Sequence, residues 1–269
     1  MGRRSFINFE QLDVDQVQFA LGMDRNGKTQ IALTYGPNHG DLNFVTPPAV
    51  TMWPRVTGDG NYGTLFGPAD PAKTKFVLDL TDVEINDASE HEKGAFALFK
   101  SKMDKLDEKL LQFVTDNQLR ILGRKNLNKE EIRMLQIHTI KPKYDKVTGT
   151  LLEHSFNMGV AKYMADGMGG KMVRKVAVCD HLGNVQPNGK VMPGDVVRAT
   201  AYVSQVYTGV GGDKFGIAFG MEDVSVVCQR MQMEANKKSV SAFQGSDYSF
   251  ANSYMNFSDE FSSETGQFN

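Results

Sequence analysis

The sequence predicts a mainly β fold in which a small antiparallel barrel carries inserted α-helices. Three observations point to it. After Pro142 the chain alternates apolar and polar residues in successive runs separated by glycine-rich joints, as half-buried strands do. Ahead of those runs, one segment holds apolar residues at helical spacing over several turns. The strands have no repeating βα units among them, which excludes a doubly wound parallel sheet.

Residues 16–35, QVQFALGMDRNGKTQIALTY, read as a β-hairpin. Val17, Phe19 and Leu21 alternate with polar or small residues, Ile31, Leu33 and Tyr35 do the same, and Asn26-Gly27 is a strong turn signal between them. The same stretch matches the phosphate-loop pattern, with Gly22, Gly27, Lys28 and Thr29 at its spacing. Such a loop holds phosphate with amide groups that open a helix. Here the alternating TQIALTY follows, so a returning strand is expected and a nucleotide-hydrolysing site is not. Residues 36–72 are rich in glycine and proline and read as irregular chain with short extended pieces; KTKFVLDLTDVEI then reads as a strand.

Residues 89–117 form the predicted long helix. Ser89 and Glu92 make a capping box, and Phe96, Phe99, Met103, Leu106, Leu110 and Phe113 lie on one stripe. Its lysines, among them Lys100, Lys102, Lys105 and Lys109, alternate with acids and read as a solvated face. A second helix is expected over 128–137, with Asn128 and Glu131 as its cap. Four strands follow: LLEHSFNMGVAKY, KMVRKVAVCD, GDVVRATAYVSQVY and DKFGIAFGMEDVSVVC. With KFVLDL as the first, they give five core strands and a helix inserted after the first. That is the content of an OB-type five-stranded barrel. The predicted organisation is an N-terminal β-rich hairpin extension over 1–48, the barrel with its inserted helices over 49–236, and a tail over 237–269. The tail has no alternation and no helical period, and is expected to be disordered. From residue 239 it carries four acids and seven aromatics, which can dock on a surface.

The 269 residues carry a net charge of −2, unevenly spread. Residues 1–92 hold 7 basic and 13 acidic residues, 93–230 hold 21 and 14, and 231–269 hold 2 and 5. A basic body between acidic ends favours a polyanionic partner. Two cysteines, Cys179 and Cys228, and five scattered histidines supply neither a disulfide framework nor metal-ligand spacing. No nucleophile–base pattern is present, and the acids Asp79, Asp82 and Glu84 read as capping or solvated groups. No cofactor, no metal and no enzymatic activity are expected. Neither a membrane span nor a secretory signal is evident, so an intracellular protein is expected. The opening MGRRSF fits the loose myristoylation pattern, which matches often by chance.

Aromatic residues interleaved with basic ones on strands are the informative constellation, because single-strand binders combine stacking platforms with a positive groove. In GDVVRATAYVSQVY, Val197, Ala199, Ala201 and Val203 share one face, and Arg198, Thr200, Tyr202 and Ser204 share the other. Tyr207 ends that strand and Lys214 opens the next. Lys175 points away from Val176 and Val178, while Trp53, Arg55 and Tyr62 lie in the Gly/Pro-rich stretch. The candidate nucleic-acid-binding residues are therefore Trp53, Arg55, Tyr62, Lys175, Arg198, Tyr202, Tyr207 and Lys214, with Tyr202 expected outward and free to stack.

On these blocks the chain resembles the single-stranded DNA-binding proteins of short-tailed bacteriophages and their counterparts in large eukaryotic DNA viruses. The resemblance covers about residues 49–230. It is carried by KFVLDLTDVE with its following helix, LLEHSFNMGVAK, MVRKVAVCDHLGNVQP and GKVMPGDVVRATAYVSQVYTGVGGDKFGIAFGMEDVSVV. It implies an OB-fold that binds and protects single-stranded DNA in viral replication, recombination or repair, at a viral replication site in nucleus or cytoplasm, or in the virion. It further implies a C-terminal tail that contacts replication proteins and competes for the DNA groove, and it leaves RNA and a homo-oligomer open as partners. The tail departs from the family pattern in having few acids and ending Gln-Phe268-Asn269. Residues 1–48 have no counterpart in it. The alternative reading is a virion or scaffold protein that uses the barrel for protein–protein contacts.

Overall fold

The computed structural model describes residues 6–23, 29–53, 55–57, 62–64, 67–68, 75–80, 94–144, 151–160, 162–165, 171–174, 176–180, 182, 184–186, 189–210 and 214–228. These belong to the unit Met1–Arg230; a second unit, Met231–Asn269, and with it the whole of the predicted tail, lies outside the described residues. In chain order the strands are β1 (Ile7–Asn8), β2 (Val17–Met23), β3 (Thr29–Tyr35), β4 (Asn43–Val45), β5 (Ala49–Trp53), β6 (Arg55–Thr57), β7 (Tyr62–Thr64), β8 (Gly67–Pro68), β9 (Lys75–Asp79), β10 (Gln136–Ile137), β11 (Ile140–Tyr144), β12 (Leu151–Gly159), β13 (Lys162–Ala165), β14 (Lys171–Arg174), β15 (Ala177–Cys179), β16 (Lys190–Val191), β17 (Val196–Val210) and β18 (Lys214–Cys228). The helices are α1 (Ala95–Asp116), α2 (Gln118–Leu122) and α3 (Lys129–Arg133).

Five strands close on themselves. β5 pairs β9, β9 pairs β12, β12 pairs β18, β18 pairs β17 and β17 returns to β5. All these pairings are antiparallel except β12 with β18, which is parallel. Closure leaves the ring no free edge. Numbered along the chain, the barrel order is first, second, third, fifth, fourth and back to the first: a closed five-stranded barrel of the OB type, as the strand content predicts.

The membership of the ring differs from the expected one. KFVLDL is its second strand, not its first; the first is AVTMW, β5, inside the Gly/Pro-rich stretch. LLEHSFNMGVAKY divides into β12 and β13. KMVRKVAVCD is not a barrel strand: its first part, β14, pairs only β13, and its last part, β15, runs beside β18. The long helix is therefore inserted after the second barrel strand.

The interior explains why these segments hold together. Phe76, Leu78, Phe156, Met158, Phe215, Phe219 and Met221 point inward from β9, β12 and β18, and all are buried. The facing positions on β17 are small, Val197, Ala199 and Ala201, each fully buried, so large and small side chains interleave. α1 closes the ring with its predicted stripe. Phe99 meets Phe156 edge to face at 5.3 Å and Phe44 at a tilt at 5.9 Å, while Met103, Leu106 and Leu110 are fully buried. Each such side chain contributes about 1.5–3 kcal/mol by leaving water.

The helix boundaries are corrected. α1 begins at Ala95 after Gly94, whose left-handed backbone (φ +83°) no side chain caps; Ser89 and Glu92 lie outside the described residues. The capping box of Asn128 and Glu131 forms as expected, but α3 ends at Arg133, and Gln136–Ile137 becomes a strand parallel to β18. α2, which sequence reading missed, ends at Gly123, again left-handed.

The N-terminal hairpin forms with its alternating register, from Val17 opposite Tyr35 to Met23 opposite Thr29. β3 touches β17 through Ile31 and Val206. Because Thr29 opens a strand, no helix follows the phosphate-loop pattern; its residues 24–28 lie outside the described residues. Three of the α1 lysines do more than face solvent. Lys102 donates to the carbonyls of Glu10 and Leu12 at 2.6 and 2.8 Å, and Lys109 to those of Val14 and Asp15 at 3.1 and 2.8 Å. Lys105 pairs with Asp15 at 2.6 Å and holds that carboxyl below the usual range. They fasten the N-terminal segment to the helix.

Candidate nucleic-acid interface

The outward face of the second and third barrel strands is where an OB-type barrel presents itself to an oligonucleotide. Here that face belongs to β9 and β12, flanked by β11 and β18. Alternation fixes which side chains occupy it. Phe76 and Leu78 point in, so Lys75, Val77 and Asp79 point out; Phe156 and Met158 point in, so Ser155, Asn157 and Gly159 point out. The register aligns them as rows: Lys75 with Gly159, Val77 with Asn157, and Asp79 with Ser155. Lys141 of β11 lies opposite Ser155, and Trp53 of β5 opposite Val77. The row of Lys75 and Gly159 continues through Gly220 of β18 to Tyr202 of β17.

Two cations stand on this face without counterions. Lys141 is half-buried, and its ammonium is pushed below its ordinary value by burial first and by the charge of Lys75 second. Lys75 is exposed. Among the described residues neither has an anionic partner. Asp79 shares the face but is fully buried and already engaged. Nearby, Asn157 carries a buried Oδ1 that accepts no hydrogen bond.

Lys141 owes its place to a polar anchor under the barrel. Asp107, on the buried side of α1, accepts from the Thr139 amide at 2.8 Å and from its hydroxyl at 2.7 Å. Gln136 donates to the Asp107 carbonyl at 2.7 Å. These bonds set the corner from which β11 departs. His138 Nδ1 lies 3.6 Å from Asp107 Oδ2, and this contact raises the imidazole pKa above its ordinary 6.5, against burial. Asp104 adds to the rise and Arg133 opposes it. A raised folded-state pKa gives stability that is complete below the unfolded value and is lost as pH rises through the folded one. The melting temperature of wild type should therefore exceed that of His138→Gln most near about pH 5.5, with the gap closing toward about pH 8. A gap independent of pH would show that the Asp107 contact does not titrate.

The sequence-derived candidates divide. Tyr202 lies on the face opposite Val197, Ala199 and Ala201, as parity demands, but it is not free to stack. It is only 8% exposed, and its ring lies across Gly220, its register partner. Tyr207 repeats the arrangement over Gly216; it is half-buried, and burial together with Asp107 pushes its phenol up. Both tyrosines cover a cross-strand glycine, a packing device of β-sheets. Arg198 shares the outward face opposite Ser225, is half-buried and already has a partner. It is nine residues from Tyr207, about 30 Å at the rise of a strand, so the two do not form one subsite. Lys214 is exposed at the start of β18. Arg55 and Tyr62 fall on β6 and β7, paired in a small sheet that follows β5, which brings them near Trp53 in the chain; the side chains of these three and all of Lys175 lie outside the described residues. Sequence reading missed Lys75 and Lys141. The alternation in KTKFVLDL and in TIKPKY carried the signal.

Among the described residues no group of three His, Cys, Asp or Glu is placed to hold a metal ion, and no helix is long and apolar enough to cross a membrane. Cys179 is buried, which raises its thiol pKa.

No family model matches the chain, and no curated protein matches it. Among solved structures it is similar to gp2.5, a single-stranded DNA-binding protein encoded by bacteriophage T7, at 10% identity and a TM-score of 0.46, over 86% of this chain and 100% of that one. It is also similar to the single-stranded DNA-binding protein of bacteriophage Enc34, solved in complex with single-stranded DNA, at 11% identity and a TM-score of 0.36, over 73% of this chain and 90% of that one.

Proposed function

We propose that this protein binds single-stranded DNA without sequence preference, across the outward face of β9 and β12, and protects it during viral replication, recombination or repair. The role is non-catalytic. The observation that carries the reading is the pair Lys75 and Lys141. A half-buried cation beside a second cation, with no anionic partner among the described residues, is a local cost, and such costs concentrate at functional sites. A phosphodiester backbone crossing the face supplies the missing charge at both positions. The basic body of the chain and the sequence resemblance to viral single-strand binders support the same reading.

The test is a fluorescence titration of oligo-dT at two salt concentrations. Wild type should bind with affinity that falls as salt rises. In Lys75→Ala/Lys141→Ala the affinity should drop, and the slope of log K against log salt should flatten by about 0.7 for each phosphate that is no longer neutralised. The melting temperature of the double variant should not fall, since the change removes an uncompensated burial. Absence of salt-dependent binding by wild type overturns the proposal and favours a barrel used for protein–protein contacts.

A further inference from the structure

Resting on that reading, we infer that Gly159 is the point at which the bound strand lies directly against the protein backbone, with the adjoining phosphate on Lys75. Gly159 sits in a central strand, held by β9 on one side and β18 on the other. Glycine in a strand interior costs about 0.5–1 kcal/mol against alanine and gives nothing to pack. Two ordinary reasons for a glycine are absent. Its φ is not in the positive region that only glycine adopts freely. Among the described residues, a Cβ built on it would meet only the Phe219 carbonyl oxygen, at 3.7 Å, an ordinary contact. Neither backbone conformation nor the fold's own packing calls for glycine here.

The contrast with Gly220 and Gly216 is direct. A Cβ on Gly220 would lie 2.8 Å from Tyr202 Cε1, and one on Gly216 would lie 2.8 Å from the Ile137 carbonyl oxygen, so those two glycines serve packing. Gly159, next to Gly220 in the same row, has room for a small side chain among the described residues. That space is bounded by the unneutralised Lys75 in register on β9 and by Asn157, whose Oδ1 lacks a partner, one outward position back on β12. A glycine that leaves room over the middle of a positive face is what close approach of a ligand requires. The ligand the charges select is a phosphodiester chain, and the segment over Gly159 is one nucleotide unit of it.

The experiment fills the space one carbon at a time, with Gly159→Ala and Gly159→Val, read by melting temperature and by oligo-dT titration. Gly22, a strand glycine whose Cβ would meet nothing within 4 Å among the described residues and which lies on a strand away from this face, serves as the control in Gly22→Val. Both Gly159 variants should melt at or above the wild-type temperature. Gly159→Val should bind oligo-dT about tenfold more weakly, as when one base no longer stacks, with Gly159→Ala between and Gly22→Val unchanged. Equal affinity of Gly159→Val and wild type overturns the inference while leaving the binding function standing. A wild type that binds no oligonucleotide removes the function itself. Should Gly159→Val melt early, Gly159→Ala alone decides: a folded alanine variant with wild-type affinity, or one that also melts early and so shows that packing requires the glycine, overturns the inference.

Discussion

Gly220→Val is expected to be the most damaging single change on the outside of the barrel, lowering stability by about 3 kcal/mol or more, at the upper end of overpacking costs. Gly220 faces Tyr202 across β17 and β18, and the ring occupies the space a side chain would take, with Cε1 2.8 Å from the position of a Cβ. The ring has nowhere to move cheaply, because it is 8% exposed. Tyr202→Ala alone should also destabilise, by on the order of 3 kcal/mol, since a nearly buried ring is removed. Combined, the two changes should cost clearly less than their sum, because the clash needs both partners. Denaturant melts of the four proteins measure this. Additive losses would mean that the ring does not lie over the glycine, and Tyr202 would return as a candidate stacking platform. The pairing also bears on function: a Tyr202→Ala variant that binds poorly has been weakened in its fold first, so affinity must be read only where it remains folded.

Tyr202 shows what alternation tells and what it leaves open. The period of two in GDVVRATAYVSQVY places Val197, Ala199 and Ala201 inside and Tyr202 opposite, and the structure has them there. Exposure is a property of the neighbour, and the neighbour is set by register. Gly220 meets Tyr202 only because the ladder shifts between Thr200 and Ala201, which no local pattern in either strand announces. The first barrel strand is hidden for a related reason. AVTMW has five residues beside prolines and little alternation, and it is a strand because β9 and β17 bond to it on both sides. KMVRKVAVCD has the better pattern and yet no place in the ring, because only AVC reaches β18. Asn128 does start a helix, but Phe215 takes Gln136 as its register partner, and a hydrogen-bonded partner outweighs a weak helical run. Lys75 and Lys141 are legible as outward residues. That their two strands lie on either side of β12, and so bring two cations onto one face, follows only from the pairing of β9 and β11 with β12.

Asp107→Ala is expected to cost on the order of 3 kcal/mol and to loosen the strand that carries Lys141. Asp107 interrupts the buried side of α1, among Met103, Leu106, Leu110 and Leu111, and is itself only 2% exposed. Its carboxylate is the acceptor for two donors of Thr139, one from the backbone and one from the hydroxyl. Thr139 is also buried, so without Asp107 these donors lose their acceptor and water does not replace it freely. An orphaned buried donor costs about 1–3 kcal/mol. Gln136 keeps its bond, because it uses the Asp107 carbonyl, so the loss should fall on the Thr139 side of the corner. Asp107→Asn retains one acceptor oxygen and should lie between wild type and alanine. The stability that His138 gains at low pH should be lost or reversed in Asp107→Ala, because the carboxylate that raises its pKa is gone while burial, which lowers it, remains. Hydrogen exchange should locate the change: amides of β11 should exchange faster, while those of β17 and β18, paired along their length, should not. Oligo-dT affinity, measured where the variant is fully folded, should weaken less than in Lys141→Ala, since the cation remains but its position is no longer fixed. An Asp107→Ala protein within about 0.5 kcal/mol of wild type, the range of an ordinary surface change, would show that Thr139 finds another acceptor and that the corner does not depend on the carboxylate.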